Sequence, residues 1–311
     1  MTRPFRFSLQ ASTVQDVSQW RDLARKVADL GFSLLLTADH LDECVAPLPA
    51  LVSAADAAPD LRVGTLVLNN DLRHPSLLAR EAAAIDLFTE GRLELGLGAG
   101  HAQPEYIRNG LQFDTAAIRV DRLSESVQVV RRLLRGETVS FHGAHYNLEG
   151  EACYPKPAQA SIPILVGGGG KRTLAVAARY ADAVGFTGLG KILPDGNHHE
   201  PTGFGPAAVT AQVEWVREQA GSRFDDLELH ALVQAVIVTD RRDTAVNDLL
   251  SRHPGLTTTD VLATPYLLVG TADGIVETLI ERRERWGFSH YTVRTTALNA
   301  VAPVVAALAG R

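Results

Sequence analysis

Short apolar blocks recur along the chain, and their period switches repeatedly between that of a strand and that of a helix. Phe5 to Leu9 alternates and predicts a first strand. Val17, Trp20, Ala24 and Val27 step by three and four along one face of a helix that ends at Gly31. Phe32 to Leu36 predicts a buried strand that stops at Thr37-Ala38-Asp39-His40. A short helix around Leu51 to Ala57 follows, then a strand from Arg62 to Leu68 and a helix from Pro75 to Phe88. Proline suits the first turn of a helix, where its missing N–H costs nothing. Arg92 to Leu97 predicts a fourth strand, closed by Gly98-Ala99-Gly100. Val120, Leu123, Val127, Val130 and Leu134 mark a long amphipathic helix, and Thr138 to Leu148 a hairpin around His142-Gly143.

The second half repeats the alternation. Ile162 to Val166 is a short apolar run, Gly167 to Gly170 are four glycines, and Leu174, Ala177, Ala178 and Ala181 then fall at helical spacing. Ala183 to Phe186 predicts a sixth strand, and Thr187 to Gly205 a long loop without period. Val209, Val213 and Val216 give a helix, Leu227 to Val238 a seventh strand, and Thr244 to Val261 a helical insertion. A helix through Ile275 and Leu279, a strand from Ser289 to Val293 and a helix from Val301 to Leu308 close the chain. Strands alternating with helices imply parallel pairing, because each crossover needs a helix. Eight such strands predict an α/β fold of the (β/α)8 TIM-barrel type with insertions, spanning residues 1–311 as a single domain. Such a barrel takes roughly 250 residues before insertions. A doubly wound open sheet is the alternative. In a barrel the polar and glycine residues that follow the strands would meet at one C-terminal mouth.

Composition narrows the classes. The chain is 46% hydrophobic with a formal net charge of −6, and it has no basic run, so a nucleic-acid partner is not expected. No stretch is apolar enough to span a bilayer and the N-terminus has no apolar leader segment, so the expectation is a cytoplasmic protein without a membrane partner. Cys44 and Cys153 stand in no metal or redox spacing.

The glycine run is the clearest chemical signal. Glycines let the backbone approach an anion, and the free N–H groups of a helix N-terminus point at the same place. Gly167, Gly168, Gly169 and Gly170, with Lys171 and Arg172 behind them, read as a phosphate cradle; the alternative is a tight turn with two solvated basic side chains. His40 ends a buried strand beside Asp39, and His101 follows the Gly98-Ala99-Gly100 turn. Histidine is the side chain able to exchange a proton near neutral pH without perturbation, so these two are the catalytic candidates. His74, before Pro75, reads as packing or capping. His198-His199-Glu200 lacks the spacing of a metal motif, so no metal is assigned. The absence of Gly-x-Ser-x-Gly argues against a serine hydrolase.

Several of these segments occur together in one family. Gly31-Phe32, Ala38-Asp39-His40, Gly64 to Leu68, Arg73-His74-Pro75, Glu90 to Gly100, Tyr154 to Pro157, Val166 to Gly170 and Arg179 to Asp182 stand in the order seen there. The chain resembles the bacterial luciferase-like flavin and deazaflavin oxidoreductases, and within them the actinobacterial group assigned to coenzyme F420. The resemblance implies a (β/α)8 barrel, a homodimer, and a cofactor (F420, with FMN as the alternative) exchanging hydride with a small organic substrate at the mouth. It places Asp39, His40, Asn69, Ala99 and Gly100 against the ring and Gly167 to Gly170 at the phosphate. It also puts a non-proline cis peptide at Leu66-Val67, behind the ring. Asp39 is expected to orient the ring or His40 rather than to move a proton. Sugar-phosphate dehydrogenases of the deazaflavin branch carry Glu after the Gly-x-Gly turn, where this chain has His101. A phosphate-binding barrel lyase and a flavin-binding protein without turnover remain as alternative functions.

Overall fold

The computed structural model describes residues 3–42, 44–190, 200, 202–253 and 255–311. The strands in chain order are β1 (Arg6–Gln10), β2 (Leu34–Thr37), β3 (Arg62–Thr65), β4 (Leu68–Asn69), β5 (Leu93–Gly98), β6 (Val139–His142), β7 (Asn147–Glu151), β8 (Ile164–Gly167), β9 (Ala183–Phe186), β10 (Glu228–Leu232), β11 (Ala235–Val238), β12 (Leu267–Gly270) and β13 (Phe288–Arg294). The helices are α1 (Val17–Asp29), α2 (Pro47–Ala57), α3 (Pro75–Phe88), α4 (Gln103–Arg108), α5 (Ala116–Leu134), α6 (Lys171–Tyr180), α7 (Pro206–Ala220), α8 (Arg242–Arg252), α9 (Thr258–Ala263), α10 (Ala272–Trp286) and α11 (Leu298–Leu308).

The main sheet runs β3-β2-β1-β13-β10-β9-β8-β5-β4, and β3 also pairs with β5, which closes it into a ring. Every pairing in that ring is parallel. β3 and β4 occupy one barrel position, so the ring is the expected eight-stranded barrel. The predicted strand from Arg62 to Leu68 is broken by the peptide Leu66–Val67, which is cis as the resemblance implied. Glycines on the neighbouring strands make room for the break. A Cβ on Gly98 would lie 2.5 Å from Val67 Cγ2, and one on Gly167 3.2 Å from Val67 Cγ1. Gln10 Nε2 donates to Leu66 O at 2.5 Å and ties the same point to β1.

The barrel interior is divided. Leu34, Leu36, Leu66 and Leu232 form an apolar cluster. Ser8 Oγ bonds His290 Nε2 (2.9 Å) and Thr292 Oγ1 (2.5 Å), and Thr292 Oγ1 in turn bonds His230 Nε2 (2.6 Å). At the base, Arg6 bridges Glu94 and Glu228. Burial alone would raise the Glu228 carboxyl, but His290 and Arg6 beside it hold it well below the usual carboxylate range.

Two expectations change. The predicted strand Leu227 to Val238 is two strands, because Val233 and Gln234 turn out of the barrel and β11 pairs with β12 in a separate two-stranded sheet. The helical insertion is two helices, α8 and α9. None of the described helices is long and apolar enough to cross a membrane.

Candidate active site at the barrel mouth

The chain leaves β2 at Thr37 and delivers Ala38, Asp39 and His40 to the mouth. Asp39 is buried there. Its carboxylate takes two bonds from Arg73, Nη1 to Oδ2 at 2.5 Å and Nη2 to Oδ1 at 3.2 Å, and a third from Asn69 N at 3.0 Å. Asp39 therefore fastens the end of β2 to the segment after β4. The expected orientation of His40 by Asp39 is corrected: the carboxylate bonded to His40 is Glu105, whose Oε1 lies 2.6 Å from His40 Nδ1. Glu105 Oε2 accepts from Leu41 N at 3.0 Å. A carboxylate is an acceptor only, so this bond puts the proton on Nδ1 and leaves Nε2 as the nitrogen that gains and loses one. The His101 ring stands edge-on to His40 with centroids 5.4 Å apart.

Glu105 comes from α4, a single short helix started by Pro104 directly after the Gly98-Ala99-Gly100 turn. Asp42, His40 and Glu105 present ligand atoms within 4.8 Å of one another. Both Glu105 oxygens are already hydrogen-bonded within the chain, so the group is read as a dyad rather than a ligand set. His198 and His199 lie outside the described residues.

Asn69 does a second job beside its backbone bond. Its Oδ1 accepts from Asp71 N (3.1 Å) and from Tyr106 Oη (3.0 Å). Tyr106 also donates to Asp71 Oδ2 at 3.1 Å, and Arg122 pairs with Asp71 at 3.2 Å. Burial raises the Asp71 carboxyl and, with Asp71 beside it, pushes the Tyr106 phenol up. Gly100 is pinned against this network at φ +75°; a Cβ there would lie 2.5 Å from Asn69 Oδ1. Ala99 is half-buried beside it, packed on the core.

The glycine run is used unevenly. Gly167 meets Val67, Gly168 packs on Thr173 and donates to Gly185 O, and a Cβ on Gly169 would lie 2.2 Å from Leu189 O. Those three glycines answer to packing as well as to any ligand. Gly170 has nothing within 4 Å of where its Cβ would stand, and it opens α6, which has no side-chain cap. Lys171 lies over the Trp215 ring at 5.1 Å, and Arg172 pairs with Asp121 at 2.5 Å near the surface. His74 caps α3, accepting from Ser76 N at 3.3 Å.

The mouth thus unites His40, Asp39, Asn69, the Leu66–Val67 step, the Gly98-Ala99-Gly100 turn with His101, and the open N-terminus of α6. Sequence reasoning missed Arg73, Glu105 and Tyr106. Pro104 after the glycine turn was the one local cue to a helix carrying the last two.

A parallel barrel with this mouth is the architecture of a hydride- or oxygen-transferring enzyme family, and the chain belongs to it: the luciferase-like monooxygenase family model matches residues 1–287. Among curated relatives, an F420-dependent glucose-6-phosphate dehydrogenase of Nakamurella multipartita is 32% identical over 76% of this chain and 69% of its own length. One of the same description from Microbacterium testaceum is 31% identical over 58% of this chain and 56% of its own length. Among solved structures, the coenzyme F420-dependent tetrahydromethanopterin reductase of Methanopyrus kandleri shares the fold at TM-score 0.77 and 18% identity, with 97% of each chain covered. An F420-dependent secondary alcohol dehydrogenase superposes at TM-score 0.74 and 18% identity, with 98% of each covered.

Proposed function

We propose that this protein is an F420-dependent oxidoreductase that exchanges hydride with a small organic substrate at the barrel mouth. The names of its relatives support the cofactor. The observation that carries the reading is the uncapped, open start of α6 at Gly170, on the same mouth as the Leu66–Val67 step. Unpaired N–H groups at a helix start favour a phosphate. Gly169, Gly170, Lys171 and Arg172 would hold that phosphate through backbone N–H groups, and the Lys171 side chain adds long-range positive charge, while that of Arg172 is balanced by Asp121. Val67, Asn69, Ala99 and Gly100 would flank the ring. The bound deazaflavin supplies the two-electron hydride donor or acceptor. His40, its Nδ1 held by Glu105, moves the accompanying proton at Nε2, with His101 beside it. Asp39 and Arg73 fix the loop that carries His40. A homodimer located in the cytoplasm completes the proposal; the exposed Leu77 and Phe88 on α3 fit a face covered by a second copy.

Valine at Gly168 or Gly169 would collide with Thr173 or Leu189 O and disturb the fold itself. Gly170→Val meets only open space and is the cleaner test. By filling the space through which a phosphate approaches these N–H groups, it should weaken F420 at least about tenfold, the size of one charge-assisted hydrogen bond. Thermal unfolding should shift little. Unchanged F420 affinity in a folded Gly170→Val protein would remove the phosphate from this helix.

A further inference from the structure

The cofactor assignment uses the mouth above β2 to β8 and leaves the side above β10, β13 and β1 without a role. Side chains along a strand alternate in direction. On β13, His290 and Thr292 point into the barrel, where both bond Ser8. Arg294 is the next member of that series and stands at the mouth. Gln234 stands in the bend between β10 and β11, next to Arg294. Arg294 is paired in register with Gln10, whose amide holds Leu66 O at the cis step. It therefore stands at the mouth end of the strand beside the one whose Gln10 reaches the cis step.

The surroundings of Arg294 are prepared for a ligand. Gln234 Nε2 donates to Thr187 O at 3.3 Å, and Gln234 Oε1 accepts from Arg294 Nη2 at 3.3 Å. That is the one hydrogen bond of the guanidinium among the described residues, and none of their carboxylates pairs with it. A cavity of about 220 Å³ opens beside it, lined by Val233, Gln234, Val236, Arg294, Thr296 and Ala297 among others. Among the described residues, Arg294 is the only charged group in that lining. Arg294 is exposed to solvent on its outer side, and the packing around the rest of the side chain lowers its pKa.

We propose that Arg294, steadied by Gln234, binds a carboxylate group of the substrate in this cavity. A guanidinium offers a carboxylate two parallel N–H bonds, and here Nη1 and Nε have no partner among the described residues. One cation balances one carboxylate, whereas a phosphate dianion calls for a second positive group, which none of the described lining residues supplies. The substrate class is thus a small hydroxy or keto acid rather than a sugar phosphate. This inference rests on the F420 reading for the direction in which the substrate lies.

The test is calorimetric titration of the F420-loaded protein with propionate, inorganic phosphate and propan-1-ol. Propionate should bind saturably, phosphate more weakly and propan-1-ol not at all. Arg294→Gln should weaken propionate at least about tenfold, Arg294→Lys less, and F420 affinity should be equal in all three, since Arg294 does not touch the α6 site. Thermal unfolding checks that each variant is folded. Propionate affinity unaffected by Arg294→Gln, or phosphate binding more tightly than propionate, would overturn the proposal. Cofactor-free protein is titrated in parallel with the same probes. Failure of F420 to bind would then sink the function reading, while loss of Arg294 dependence there would sink this one.

Discussion

His40→Ala should slow the hydride-transfer half-reaction by roughly 100-fold or more while leaving F420 affinity nearly unchanged. General acid–base catalysis is typically worth about 10²–10⁴-fold, and His40 is the titratable group that the structure equips for it. Its Nδ1 is fixed at 2.6 Å by Glu105, so the ring is held in one tautomer with Nε2 left to exchange the proton. Glu105→Gln separates orientation from charge. The amide keeps an acceptor for Nδ1–H but cannot stabilise the imidazolium, so the expected loss is smaller, on the order of tenfold, with the pH profile displaced. Stopped-flow rates measured beside cofactor affinities decide the matter. Normal rates in His40→Ala would hand proton transfer to water or to substrate.

The second large effect is on stability. Asp39 is buried, and Arg73 supplies its two side-chain partners. Arg73→Ala would leave a buried carboxylate with only the Asn69 N–H, and removing one member of a buried pair costs about 3–5 kcal/mol. For a chain of this size that is a fall in melting temperature on the order of 5–10 °C. The double variant Asp39→Ala/Arg73→Ala should lose less than the two single losses added together, because the stranded charge is gone. Additive losses in calorimetric melts would mean that the pair acts as two independent side chains.

Much of the barrel was written in the local pattern. Each barrel strand is a short apolar run with a polar or glycine end, and apart from Leu227 to Val238 each prediction fell within a few residues of the observed bounds. The β10–β11 boundary was not legible, because Leu227 to Val238 keeps an apolar residue at least at every second position while the chain changes sheets at Val233. What decides that change is pairing with β12, a partner about thirty residues distant, and no local period reports it. β12 itself, Leu267–Gly270, is only four residues long, too short to show a period of its own, and went unpredicted.

The site was legible to a similar depth. Strand ends bring Asp39, His40, Asn69 and the glycine turns to one mouth by topology alone, so their convergence followed once the barrel was predicted. Which carboxylate serves which base did not follow. Asp39 is next to His40 in sequence, yet successive residues on an extended chain point apart, and the two pair with Arg73 and Glu105, 34 and 65 residues away. The four glycines looked like one signal for a phosphate. Three of them are also required by Val67, Thr173 and Leu189, a packing constraint that becomes visible only in three dimensions.

The account turns on the cofactor, and one titration bears on it most directly. Purified protein is added to F420 while the fluorescence of the deazaflavin is followed, and FMN is titrated in a parallel series. Saturable binding of F420 in the micromolar range or tighter, with FMN at least about tenfold weaker, is the result expected here. FMN bound more tightly than F420, or neither bound, would contradict it.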